Sequence, residues 1–170
     1  YNLNANNTRL LSTGTITITA DTFTPKTGAN PSQIGGTGAG AGSATNIIIQ
    51  PSTAARTIGV AGGAGSLSLP TATLDEFRAT NVQIGNSNAG LMTINAWTPV
   101  AAFANNGAIT LQTGAGGITQ SGAINLTTDL ASLTATTTGL LSTNAITTTN
   151  KSVVLTGVGV TQAASTSINT

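Results

Sequence analysis

The chain has 170 residues and a net charge of +1, from five basic and four acidic side chains. Charged residues make up 5% and aromatics 3%, against roughly a quarter charged in ordinary globular domains. The scattered cations argue against nucleic acid or a membrane surface as partner, and the absence of Cys and His removes disulfides, thiol chemistry and every Ser-His-Asp or Cys-His arrangement. Low charge accompanies disorder only when apolar content is also low. Here 39% is hydrophobic, so an ordered chain is expected. Apolar runs of about four residues are too short for a transmembrane helix. The chain opens on Tyr1 with no signal peptide, which reads as a processed product or a segment of something longer.

Residues 10–24 alternate Ile16 and Ile18 with Thr15, Thr17 and Thr19. That period of two predicts a strand, stopped by Pro25. Residues 25–45 hold two prolines and six glycines and are expected to form a loop protruding from the body. Short strands are predicted at 46–50, 57–60 and 66–69. Residues 71–79 read as a short helical turn, with Thr73 as N-cap and Glu76 at the capping-box spacing. Strands resume at 81–85 and 91–97. They continue at 108–112, 117–120, 123–128, 132–137, 145–149 and 152–156.

Part of this pattern is a repeat. AITLQTGAGGITQSGAINLTT (108–128) returns as SVVLTGVGVTQAASTSINT (152–170). Leu111 matches Leu155 at a spacing of 44, Ile118 matches Val160 at 42, and Ile124 matches Ile168 at 44. Short strands with tight turns also suit sandwiches and barrels. Three features favour a solenoid: recurrence at about 21 residues, turns without regular Asn-Gly hairpin pairs, and few aromatic anchors. The expectation is an all-β, single-domain parallel β-solenoid over 1–170. About eight coils, each advancing about 4.8 Å, would make a rod of roughly 40 Å.

Residues 46–95 run NIIIQPSTAARTIGVAGGAGSLSLPTATLDEFRATNVQIGNSNAGLMTINA. This stretch resembles the repeats of filamentous-haemagglutinin-like exoproteins. Those repeats run as a strand, PSTAGR-x-IG, a Gly-rich turn, L-x-L, then L-x-x-I-x-A-x-x-V-x-IG. The matching positions are Pro51 to Gly59, Leu67, Leu69, Leu74, Phe77, Ala79, Val82, Ile84 and Gly85. Phe77 stands where a smaller aliphatic is usual. The resemblance extends through GAITLQTGAGGITQSGAINLTT and covers 46–128 best. It implies a bacterial, secreted, surface-exposed protein folded as a right-handed parallel β-helix. The family's amino-terminal secretion domain is not recognised, which leaves the export route open.

Four carboxylates offer little for catalysis. Asp75 and Glu76 are adjacent, and adjacent side chains on a helical turn diverge, whereas a glycosidase needs two carboxylates facing each other. The bland reading is a solvated turn with Arg78 as partner. GGTGAGAGS (35–43) lacks the aspartates of calcium-binding β-rolls and the Lys of a phosphate loop. No enzyme, metal or cofactor is expected. Thr15, Thr17 and Thr19 form a ladder that suits carbohydrate or ice, or simply a β-branched surface. Trp97, with Phe103 near it in sequence, suits either stacking on a sugar ring or plugging a corner of the fold. The function expected is structural: an extracellular or cell-surface solenoid that forms or belongs to a fibre by end-to-end stacking. An adhesin segment binding glycans or host matrix is the alternative.

Overall fold

The computed structural model describes residues 3, 5, 8–29, 32–36 and 43–170. Arg9–Leu11 (β1), Thr15–Thr19 (β2), Gln33–Gly35 (β3), Ala44–Gln50 (β4), Ile58–Val60 (β5) and Leu67–Leu69 (β6) precede a helical turn, Thr71–Leu74 (α1). Ala79–Gly85 (β7), Met92–Ile94 (β8), Ala108–Thr113 (β9), Ile118–Gln120 (β10), Ile124–Asn125 (β11) and Ser132–Thr137 (β12) come next. Leu140–Thr143 (β13), Ile146–Thr147 (β14), Val153–Thr156 (β15), Gly159–Gln162 (β16) and Ile168–Asn169 (β17) complete the order. Among the described residues the protein is all-β but for α1, and its named strand pairs are all parallel.

One six-stranded sheet runs β15-β12-β9-β7-β4-β2, and a second runs β16-β13-β10-β8-β5-β6. A three-stranded sheet, β11-β14-β17, and the pair β1-β3 complete the set. Register is set by alternation: a slip of one residue would turn every apolar side chain outward. In the first sheet Ile16, Ile47, Val82, Ile109, Leu133 and Val153 form one inward column. Ile18, Ile49, Ile84, Leu111, Ala135 and Leu155 form another.

Successive members of the first column are 31, 35, 27, 24 and 20 residues apart. A uniform period of about 21 residues therefore holds only toward the last strands. The two long sheets have six strands each, fewer than the eight layers such a period gives. The sequence matches at 108–170 are nonetheless structural. Leu111 and Leu155 lie two strands apart in one column, as do Ile124 and Ile168.

The longer steps contain additional structure. Parallel strands ordinarily need a dozen or more connecting residues, yet β5 and β6 pair across Ala61–Ser66 alone. Glycine makes this possible: a Cβ on Gly59 would lie 2.0 Å from the Gly63 carbonyl oxygen, and one on Gly63 would lie 2.1 Å from that of Thr93. The helical turn starts at Pro70, not Thr73. The Pro70 carbonyl accepts N–H bonds from Thr73 and Leu74. Its ring presets φ near the helical value, and Thr73 is buried within the turn.

Among the described residues of the 25–45 segment, expected as a protruding loop, several are packed into the fold. Pro25 is buried, and Ile34 is fully buried between Leu10 and Phe77. Gly35 has φ +96°, and a Cβ there would meet the Arg78 carbonyl at 2.0 Å. The glycines at 38, 40 and 42 lie outside the described residues.

The core changes character along the sheets. Toward β2 and β6 it is aliphatic and aromatic. Phe23, Phe77 and Phe103 follow one another at centroid distances of 6.2 Å, and Trp97 meets Phe103 edge-on at 5.2 Å. Toward β13 polar side chains enter. Thr113 donates to Thr137 at 2.9 Å and Thr143 to Gln120 Oε1 at 2.7 Å. Gln120 Nε2 donates to the Gly122 and Ala145 carbonyls. These bonds satisfy the buried polar atoms that an unpaired state would penalise.

Candidate functional site

The outward face of the β2-containing sheet gathers the predicted threonines. Thr15, Thr17 and Thr19 are all exposed on β2, with Ile16 and Ile18 turned inward between them. Asn46 Nδ2 donates to Thr15 Oγ1 at 3.1 Å, and Gln50 Nε2 donates to Thr19 Oγ1 at 3.1 Å. The ladder continues inward from the edge. Asn81 Nδ2 donates to Asn46 Oδ1 at 3.1 Å, and Asn81 Oδ1 accepts the Ala108 N–H. Gln83 Nε2 donates to Gln112 Oε1 at 3.2 Å. A shallow groove of about 310 Å³ runs across this face, lined by Asn46, Ile48, Asn81, Gln83, Ala108 and Thr110. Its walls are amides and hydroxyls and its floor is aliphatic, with no ionisable group among those six residues. Many of the polar atoms already bond one another, so the ladder tightens the sheet first and offers a ligand only what remains.

The amides were not singled out from sequence. A signal exists: Asn46-Ile47-Ile48-Ile49 and Asn81-Val82-Gln83-Ile84 lie in register on paired strands, with Asn and Ile at the same positions.

Trp97 does not join this face. It is 2% exposed, bridges to Ile124 and packs on Phe103. Its indole cannot stack on a sugar ring in this position. It packs inside the fold instead.

The carboxylates are dispersed. Asp75 caps the C-terminus of α1, and Arg78 donates to the main-chain carbonyls of Asp75 and Phe77. Burial raises the Asp75 and Glu76 carboxyls above their usual values, against the pull of Arg78. Asp129 is raised by burial as well, although the Ala104, Asn105 and Phe103 amides pull the other way. Asp129 accepts the Ala104 N–H at 2.9 Å and holds a turn in which Ala102, Asn105 and Asn106 all have positive φ. Asp21 behaves oppositely. Hydrogen bonds from the Thr53 side chain and backbone hold it down at about 2. Among the described residues, no three acidic side chains come together as a metal site.

The second distinctive surface is an end. β15, β16 and β17 are each outermost in their sheets, and no residue from 151 to 170 is buried. Val158 is 76% exposed and Val154 and Val160 about half. The inward-facing Val153, Leu155 and Ile168 are only partly covered. No helix among the described residues is long and apolar enough to cross a membrane.

No family model, curated protein or solved structure matches the chain. The site therefore has to be judged on its own geometry.

Proposed function

We propose that the chain is a structural segment of an extracellular or bacterial surface fibre, built as a right-handed parallel β-helix and extended by end-to-end stacking. The observation that carries this reading is the uncovered end, where three parallel sheets stop together in unpaired strands. Unpaired edges template further pairing, and solenoids require polar caps where they are to remain soluble rods. The unbroken inward columns and the parallel registers support stacked coils. On this reading the rod has six layers of unequal length. The likeness of 46–128 to filamentous-haemagglutinin repeats supports the handedness and the surface location. Five cations and four anions in the whole chain leave little electrostatic repulsion to oppose association and little for salt to screen.

Electron microscopy of the purified chain, combined with sedimentation across concentration, tests this reading. Filaments or growing rods are expected. Single short rods at every concentration would falsify it.

A glycan-binding segment is the second reading, favoured by the neutral groove beside Asn46, Asn81 and Gln83. Uncharged amides above an aliphatic floor suit neutral sugars better than acidic ones. A glycan screen on the wild type and Gln83→Ala distinguishes it, with loss of a neutral-sugar hit expected in the variant.

A further inference from the structure

We infer a specific register for the stacking contact: β15 of one copy receives β2 of the next, with Val153 against Ile16 and Leu155 against Ile18. The inference rests on the fibre reading and adds which edges meet and how.

The argument starts from the two outermost strands of one sheet. β2 and β15 occupy opposite edges of the same six-stranded ladder, so they continue the same columns. At the β2 edge the inward pair is Ile16 and Ile18, and at the β15 edge it is Val153 and Leu155. Four strands separate them, and each supplies an aliphatic or Ala side chain at both positions. A second copy placed in this register adds a seventh strand to an unbroken apolar column.

The outward side chains agree. In the same register Thr17 lies against Val154 and Thr19 against Thr156. Thr15 falls against Ser152, whose carbonyl already takes the Leu133 N–H in the layer beneath. Thr15 and Thr19 each accept an amide hydrogen from the neighbouring strand. Their own O–H groups keep a donor for a hydroxyl partner on the incoming edge, which Ser152 and Thr156 would supply. A slip of one residue would bring Val153 and Leu155 opposite threonines and turn the match into a mismatch.

The other sides of the two ends do not correspond as well. β6 is outermost in its sheet, but Leu67 and Leu69 are already fully buried. The third sheet runs from β11 to β17, and β1 belongs to the separate β1-β3 pair, so no edge at the other end continues its columns. The contact is therefore carried by one pair of edge strands. The two surfaces differ, so the contact is heterologous, the kind that on the fibre reading repeats into an open filament.

The absence of cysteine from the chain permits a clean test. Thr17→Cys combined with Val154→Cys places two thiols on directly adjacent strands, within disulfide reach. Both positions face outward on edge strands, so folding is preserved. Mild oxidation at associating concentration should give a covalent ladder of dimers, trimers and higher species that reduction collapses. Each single variant should stop at dimers. The offset pair Thr19→Cys with Val154→Cys should give at least tenfold less ladder. Equal ladders from the two pairs would overturn the register. Filaments on the microscope grid without a Thr17–Val154 ladder would overturn the register and leave the fibre reading standing. Single rods with no ladder in either pair would sink both.

Discussion

The two ends of the molecule are made from the same kind of strand, yet their inward side chains are covered to different degrees. At the β2 and β6 end, Leu67, Leu69, Leu74 and Phe77 are fully buried and Ile16 is 7% exposed. At the β15 to β17 end nothing from 151 to 170 is buried. The difference follows from step length. The steps of 31 and 35 residues between β2, β4 and β7 contain Phe23, Pro25, β3, β6 and α1. Those additional segments bring further apolar side chains against the core at this end, while Thr15, Thr17 and Thr19 of β2 stay exposed. The steps of 24 and 20 residues toward β15 are used up by the strands and their turns. The inward apolar residues are better covered where the chain has residues to spare.

The largest test of this contrast removes an aromatic from the covered half. Phe77→Ala should cost about 3–5 kcal/mol in urea unfolding, because its ring is buried between Phe23 and Phe103 and would leave a cavity. Gly63→Ala should come next. Its Cβ would press on the Thr93 carbonyl, so the β5–β6 connection must open, at a cost above about 1 kcal/mol. Leu155→Ala, the same type of deletion at the bare end, should cost about 1 kcal/mol, since the side chain is only partly covered. Equal losses for Phe77→Ala and Leu155→Ala would break the comparison.

A subtler test uses pH. Burial raises Asp75, Glu76 and Asp129, so the folded chain retains protons that the unfolded chain releases. Their contribution is full below the unfolded pKa values and is lost as pH rises through the raised folded values. Asp21, held at about 2, contributes above its unfolded value and loses that contribution as pH falls through about 2. The urea midpoint should therefore be higher near about pH 4 than at about pH 7, and fall again toward about pH 2. Asp129→Asn should flatten the upper part of that profile. A midpoint that rises steadily from pH 4 to 7 would contradict these assignments.

The smallest effect on the isolated chain is expected from Val154→Lys. The site is exposed on an edge strand, so stability should stay within about 0.5 kcal/mol. Association should fall at least tenfold in sedimentation, because an edge lysine obstructs further pairing. Unchanged association would separate the bare end from self-assembly.

The candidate face was half legible in the sequence. Alternation of Ile16 and Ile18 with Thr15, Thr17 and Thr19 is a local property, and it sufficed to orient β2. The amides that extend this ladder were not, because Asn46 and Asn81 are 35 residues apart and become neighbours only through register. Trp97 was left between two roles for a similar reason. Its burial depends on Phe103 and Ile124, and no local pattern of polarity around it reports those contacts.

The sequence by itself determined most of the strands (not β3, inside the expected loop, nor β13), their inner and outer faces, the neutrality of the surface and the two-step repeat of the last third. Each follows from side-chain alternation and composition over a few residues. Tertiary structure decided the unequal steps, the burial of Ile34 within a glycine-rich stretch, the removal of Trp97 from the surface and the difference between the ends. Those depend on which distant strands lie side by side, and parallel pairing across 20 to 35 residues leaves no mark in the short windows where alternation is read.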